Sequence, residues 1–180
     1  MYVILVATER EAEYIQCPNT KVIVTGVGCN NVIRTLSRAI IHRKVSEHDT
    51  FINIGYVGST CFNIGEVVAV RSVKKLRPDL SVDEEALPLM FETFNEYLYA
   101  PCYTADEFYT GKKAIPLVDI ELYYIRALCH NLISYKIVSN NCSSIDHDNF
   151  NPDKAWSKVN NILNKIVNEK KECFKGQQGF

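Results

Sequence analysis

The chain has 180 residues and carries 20 Lys and Arg against 21 Asp and Glu, a net charge of −1. That balance lacks the basic excess that a phosphate backbone demands, which excludes nucleic acid as an expected partner. Its apolar runs fall far short of the about 20 residues a membrane helix needs, and no basic-then-apolar leader opens the sequence, so a cytoplasmic protein away from membranes is expected.

This length suits a single domain, expected over residues 1–172 with a frayed tail at 173–180, that buries roughly two-thirds of its unfolded surface. The seven cysteines form an odd set without a CxxC pair or a His/Cys cluster at zinc spacing. They read as reduced thiols, and no metal or cofactor is expected. Cys29 and Cys61 follow glycine loops and read as small buried hydrophobes rather than nucleophiles.

In chain order, Tyr2–Ala7 is a first strand that runs into ATEREAEYI. There Thr8 caps a short helix with Glu11 three residues on, the spacing of a capping box, and by position alone Glu11 is a capping carboxylate. Val22–Thr25 is the next strand, followed by the turn GVGCNN and a helix over Asn31–His42 with Val32, Leu36, Ala39 and Ile40 on one face. The turn lacks the third glycine of a dinucleotide fingerprint, and the first acids downstream lie in a polar loop. Phe51–Ile54 is a buried strand expected to end in a loop with Gly55 and Gly58, where a ligand can approach the backbone. It and Lys21–Gly28 are expected to end side by side as parallel strands, and ligands sit outside the carboxyl ends of such strands.

Gly65–Val73 is a further strand, and Lys74–Glu85 reads as a surface excursion, with Arg71, Lys74, Lys75 and Arg77 on a solvated edge. An extended aromatic stretch over Thr93–Tyr103 leads to a turn, Ala105–Gly111, that sets Phe108 and Tyr109 beside Asp106. A short strand over Ala114–Val118 runs into a helix, Asp119–Asn131, with Ile120, Tyr124, Ala127 and Leu128 inward. Glu121 falls in that helix's first turn, where the macrodipole favours an acid by about 0.3–1 kcal/mol. Tyr135–Ser139 is the last strand. After a polar loop, Asn151 caps a helix whose stripe is Ala155, Val159, Ile162, Leu163, Ile166 and Val167, ending near Lys170–Lys171. Strands alternating with helices predict an α/β fold, a three-layer αβα sandwich around a mixed, mostly parallel sheet.

Taken in order, VILVATEREAE, KVIVTGVGCNN, FINIGYVGS, IGEVVAVRSV, CYTADEFY, LVDIELYYIRALC and KIVSNN resemble the successive landmarks of the nucleoside phosphorylase and nucleosidase family. The branch they resemble best is the methylthioadenosine/S-adenosylhomocysteine nucleosidases, with residues 76–101 standing for a longer middle segment. The resemblance implies hydrolysis of the N-glycosidic bond of a purine or modified-purine nucleoside, by a homo-oligomer that is most simply a dimer. It casts Glu11 as the carboxylate that activates water, Glu121 as the acceptor of the ribose hydroxyls, and Phe108 as the ring that stacks on the base. Tyr109 would read the base edge through its backbone, with Ile120, Ser139, Gly55 and Gly58 also against the substrate. Lys136 stands where the family commonly has an arginine beside the water site, keeping the charge without the fork.

Two positions depart from the family pattern. Asn140 follows Ser139 where an aspartate that protonates the base is usual, and an amide donates a hydrogen bond but cannot transfer a proton. Any acid there would have to come from Asp146 or Asp148, and the amide itself suits 6-oxopurines or 7-substituted purines better than adenine. Tyr56 replaces a small hydroxyl residue and is placed to crowd the water site. These departures keep open a non-catalytic nucleoside-binding protein, while a phosphorylase lacks its usual anion-binding arginine.

Overall fold

The structure is a computed structural model that describes residues 1–79, 81–82, 85–90, 98–111, 113–142 and 150–175, with side chains described to residue 168. The elements run β1 (Tyr2–Val6), α1 (Glu9–Glu13), β2 (Lys21–Val24), α2 (Cys29–Ile41), β3 (Thr50–Gly58), β4 (Val67–Lys75), β5 (Leu87–Pro88), β6 (Leu98–Thr104), β7 (Val118–Asp119), α3 (Leu122–Leu128), β8 (Leu132–Asn140) and α4 (Pro152–Lys175). They form one mixed sheet in which β1 pairs in parallel with both β2 and β3, and β3 pairs in parallel with β8. β4 is antiparallel to β8 and parallel to β6, and β7 joins β6 in parallel and β3 antiparallel. The strands from β3 through β8, β4, β6 and β7 thus pair round to β3 again.

Side-chain alternation along the strands divides the core in two. Val3, Leu5, Phe51, Val57 and Val138 point to the face covered by α2 and α3, through Val32, Leu36, Leu122 and Ile125. Ile4, Ile52, Ile54, Tyr135 and Ile137 point to the other face, where α4 lays down Ala155, Val159, Ile162, Leu163, Ile166 and Val167. Full burial of each Val, Leu or Ile stabilises by about 1.5–3 kcal/mol, which holds α4 on the sheet. The expected α/β architecture with helices on both faces is therefore the observed one.

Several boundaries differ from expectation for tertiary reasons. β3 does not stop at Ile54: parallel pairing with β8 carries it through Gly55 to Gly58, with a register shift between Val57 and Gly58. β2 and β3 do not lie side by side, because β1 runs between them. The strand expected over Ala114–Val118 shrinks to Val118–Asp119, and the helix expected from Asp119 begins at Leu122. Its fully buried side is Leu122, Ile125 and Cys129; Tyr124 and Leu128 are half-buried against the same core as expected, whereas Ala127 is exposed. In α2, Ile40 is 38% exposed, outside the buried stripe of Val32, Leu36 and Ala39.

Lys74 and Lys75 belong to β4 rather than to a surface excursion, and Lys75 is no solvated residue, since its ammonium meets the Asp106 carboxylate and the Tyr124 hydroxyl. Cys61 is exposed and Cys29 partly so, because they sit in a turn and in the first turn of α2; Cys17, Cys102, Cys129 and Cys142 are buried. α4 continues past Lys171 to Lys175.

Candidate active site

A cavity of about 300 Å³ opens where the carboxyl ends of β1, β2, β3 and β8 meet the loop before α3. Its floor is a polar interruption in the α2/α3 face of the sheet. Where alternation would place apolar side chains, the strands carry Asn53, Gly55, Ser134 and Lys136. Asn53 donates to the Leu5 carbonyl at 3.3 Å and accepts from the Ser134 hydroxyl at 3.1 Å, which satisfies both buried polar groups.

Glu11, 3% exposed, is held by the capping box read from the sequence. Its Oε2 accepts from the Ala7 and Thr8 amides at 2.9 and 2.8 Å and from the Thr8 hydroxyl at 3.1 Å. The whole capping duty falls on one oxygen. Oε1 has no hydrogen bond among the described residues and faces the floor at Gly55. A Cβ on Gly55 would sit 3.7 Å from both Glu11 Oε1 and Lys136 Nζ, so the glycine leaves the space between a carboxylate and an ammonium open. Capping and chemistry at Glu11 are compatible, one oxygen each.

Lys136 is 1% exposed, and its Nζ donates to Asp119 Oδ2 at 2.7 Å. Burial works against its charge, but the carboxylates of Asp119 and Glu121 outweigh burial and hold the ammonium above its ordinary pKa. Asp119 also accepts from the Thr104 hydroxyl at 2.6 Å and from the Leu122 amide at 3.1 Å. It thereby caps α3, a duty that the sequence assigned to no residue.

Glu121 occupies the N-cap position of α3 without a capping bond of its own. Instead its Oε1 reaches across to accept from the Gly28 amide at 2.9 Å. Gly28 has a φ of +81°, a conformation that favours glycine and turns the GVG loop's amide toward the carboxylate. Oε2 has no hydrogen bond among the described residues. Burial, then the neighbouring Asp119 charge, pushes the Glu121 pKa up to about 7.

Beyond Gly55 the cavity follows β3 to Gly58, where a Cβ would come within 2.8 Å of Asn140 Oδ1 and 2.7 Å of Cys142 Sγ; glycine is what lets the chain after β8 pack down here. Asn140 Oδ1 accepts from the Cys142 amide at 3.0 Å, and Nδ2 donates to Ser139 Oγ at 3.4 Å. Ser139 Oγ in turn donates to the Val57 carbonyl at 3.3 Å. Asp146 and Asp148 lie outside the described residues.

At the mouth, Phe108 is 79% exposed and Ile120 is half-buried. Tyr109 lines the same rim, its hydroxyl accepting from the Lys113 amide at 3.2 Å. Tyr56 also lines the cavity, yet it does not fill the space over Gly55. Its hydroxyl accepts from Trp156 Nε1 at 2.7 Å, and its ring packs edge-on against Phe150 and Trp156, so the expected crowding is relieved toward α4.

The cavity wall thus gathers Glu11, Gly55, Tyr56, Gly58, Phe108, Tyr109, Ile120, Glu121, Lys136, Ser139 and Asn140, the residues that the family resemblance set against the substrate. Missed from the sequence were Asp119, Thr104, Asn53 and Thr25. Asp119 had a readable signal, an Asp three residues before the first buried residue of a helix. Lys136 inside the apolar run YKIVS was a second, since a lysine buried among strand residues requires a buried acid.

No protein-family model matches the chain, and no curated protein matches it. Solved structures do. An MTAN from Chlamydia trachomatis bound to MTA superimposes with a TM-score of 0.75 at 19% identity, covering 93% of this chain and 97% of that one. The 5′-methylthioadenosine/S-adenosylhomocysteine nucleosidase of S. pneumoniae with a transition-state inhibitor gives 0.73 at 15% identity over 92% and 100%. That of Neisseria meningitidis with methylthio-immucillin-A gives 0.70 at 15% over 93% and 98%. The fold is that of these nucleosidases.

Proposed function

We propose that the chain is a nucleosidase that hydrolyses the N-glycosidic bond of a purine or modified-purine nucleoside. The observation that carries this reading is the pair of buried carboxylates with one oxygen each left to the cavity, Glu11 Oε1 and Glu121 Oε2, on either side of a buried ammonium. Glu11 Oε1 takes the proton of a water seated over Gly55, and the water oxygen attacks C1′ of the sugar. Glu121 accepts hydrogen bonds from the ribose hydroxyls. As the bond to the base breaks, C1′ acquires cationic character, and the fixed carboxylates stabilise that charge. Asp119 and Thr104 position Lys136 and α3. Phe108 offers its face to the base, which reaches Asn140 and Ser139 at the far end.

Binding of nucleosides and adenine by the structural neighbours supports a small-molecule nucleoside as the ligand. The reading includes a single domain, a cytoplasmic location and a homodimer. Cys29, Cys61, Cys102, Cys129 and Cys142 are thiols outside any disulfide, in keeping with a reducing compartment, and exposed Ile33, Ile40 and Ile41 on α2 are in keeping with self-association. Among the described residues, no helix is long and apolar enough to cross a membrane.

One observation favours a second reading, a nucleoside-binding protein without turnover: the base end presents an amide where a proton donor is expected. Incubation with a nucleoside panel, with and without phosphate, followed by chromatography for free base, tests both. Base release independent of phosphate supports the nucleosidase. Saturable binding without release supports the second reading, and release only with phosphate defeats both in favour of a phosphorylase.

A further inference from the structure

The charges around the cavity do not balance. Glu11, Asp119 and Glu121 are each less than a tenth exposed, and the described cation facing them is Lys136, which Asp119 already engages at 2.7 Å. Glu11 Oε1 and Glu121 Oε2 are left without hydrogen bonds among the described residues, both aimed into the cavity. Such an arrangement favours a ligand that brings positive charge of its own. The raised pKa of Glu121 is a second sign of the same excess, because burial and the Asp119 charge leave it a proton that a bound cation would displace.

The far end of the cavity, about 10 Å along β3 from Gly55 to Gly58, has the opposite chemistry. Asn140 Oδ1 is occupied by the Cys142 amide, which fixes the side-chain orientation and leaves Nδ2 as the group offered to a ligand. Asn140 therefore offers its amide N–H to a ligand, which suits a carbonyl oxygen, and it has no acidic proton to transfer. Ser139 is committed to Val57, and the hydroxyl of Tyr109 to Lys113. No described side chain there serves as an acid.

Resting on the nucleosidase reading, we propose that this site cleaves N-ribosides whose leaving heterocycle already carries a positive charge and a carbonyl oxygen, as in a pyridinium carboxamide riboside or a 7-alkyl-6-oxopurine riboside. In that reaction the water oxygen bonds to C1′, the C1′–N bond breaks, and its electron pair passes to the ring nitrogen and neutralises the heterocycle. The water's proton goes to Glu11 Oε1. No proton has to reach the base, so a base end that offers no acid among the described residues costs nothing. A neutral purine would depart as an anion, the case that a general acid ordinarily relieves by about 10²–10⁴-fold. Phe108, 79% exposed at the mouth, presents an aromatic face on which a cationic ring is attracted.

The matched pair for the test is 7-methylguanosine and guanosine, which differ by one methyl group and one charge, with nicotinamide riboside and adenosine alongside. The expected kcat/KM for each cationic riboside exceeds that of its neutral counterpart by on the order of 10² or more. Asn140→Asp, which returns a titratable group to the base end, is expected to raise guanosine or adenosine cleavage at least about tenfold while leaving the cationic ribosides unimproved. Neutral nucleosides cleaved within about tenfold of the cationic ones by the unaltered protein would overturn the inference and leave the nucleosidase standing. Release of base from none of the four would overturn both.

Discussion

Replacing Glu11 by Gln separates the two duties of its carboxyl group. The amide oxygen can take over from Oε2, accepting from the Ala7 and Thr8 amides and the Thr8 hydroxyl, so α1 keeps its cap. The amide NH2 then faces the water site, where it cannot accept a proton. Loss of a general base costs about 10²–10⁴-fold in turnover, or about 2.7–5.4 kcal/mol of transition-state stabilisation. Exchanging a charged acceptor for a neutral one weakens three hydrogen bonds by roughly 1 kcal/mol each, which puts the loss of folding stability at about 3 kcal/mol or less. Urea unfolding and single-turnover base release measure the two effects on one preparation, with ligand affinity from calorimetry. Thr8→Ala is the control: it loses the capping hydroxyl at a cost of about 0.5–2 kcal/mol but keeps the base, so its turnover should stay near normal. Turnover of Glu11→Gln within about threefold of wild type, or an equal loss in Thr8→Ala, would refute the assignment of Glu11 as base.

Glu121→Ala should weaken ribonucleosides far more than 2′-deoxyribonucleosides, since a hydrogen bond to a charged acceptor is worth about 1.5–3 kcal/mol; equal losses in a binding titration would return Glu121 to a structural role. The same residue gives stability a pH dependence of known sign. With its folded pKa raised from 4.5 to about 7, the stability it contributes is fully present below pH 4.5 and lost as pH rises through about 7. The loss amounts to about 3 kcal/mol, to be read as the difference between wild type and Glu121→Gln in urea titrations, and no change in that difference over the interval would sink the prediction. Lys136→Met leaves Asp119 buried without its cation and should destabilise by about 3–5 kcal/mol. Adding Asp119→Asn should recover most of that stability without recovering turnover; a double variant as unstable as the single one would show that the pair is not the cause.

What the sequence made legible was whatever depends on neighbours in the chain. The capping box at Thr8 and Glu11 and the apolar stripe of α4 follow from spacings of three and four residues, and both are present as read. Less legible was whatever depends on a strand pairing with a distant partner. Gly55 and Gly58 look like loop residues because glycine weakens a strand, and only the parallel pairing with Lys136 to Asn140 keeps them in β3. Glu121 read as a charge in the first turn of a helix, and Asp119 only as that helix's first residue. Three-dimensional proximity separates them: Asp119 turns to Lys136, Thr104 and the Leu122 amide, and Glu121 turns to Gly28, 93 residues away in the chain. Position alone made Glu121 a helix-start charge, the family resemblance cast it as a ribose anchor, and neither assigned a role to Asp119.

The polar floor shows how this fold reconciles a buried charge with a stable sheet. A lysine in the middle of β8, with Tyr135 and Ile137 on either side packed against α4, would be among the costliest residues to bury alone. Asp119 removes that cost only because Thr104 and the Leu122 amide fix its carboxylate, so the ion pair is assembled from β6, β7, α3 and β8 at once. Elements that the core would hold together anyway are thereby locked in one register at the point where the cavity opens. The same pair also shapes the electrostatics left over for a ligand. Asp119 satisfies Lys136, so the cation does not collapse onto Glu11 or Glu121, and their free oxygens stay turned toward the cavity. A lone lysine would have neutralised one of those carboxylates, and a lone aspartate would have driven a further proton onto Glu121. In the proposed mechanism, the charge on Glu11 and Glu121 therefore depends on the Lys136–Asp119 ion pair held between them.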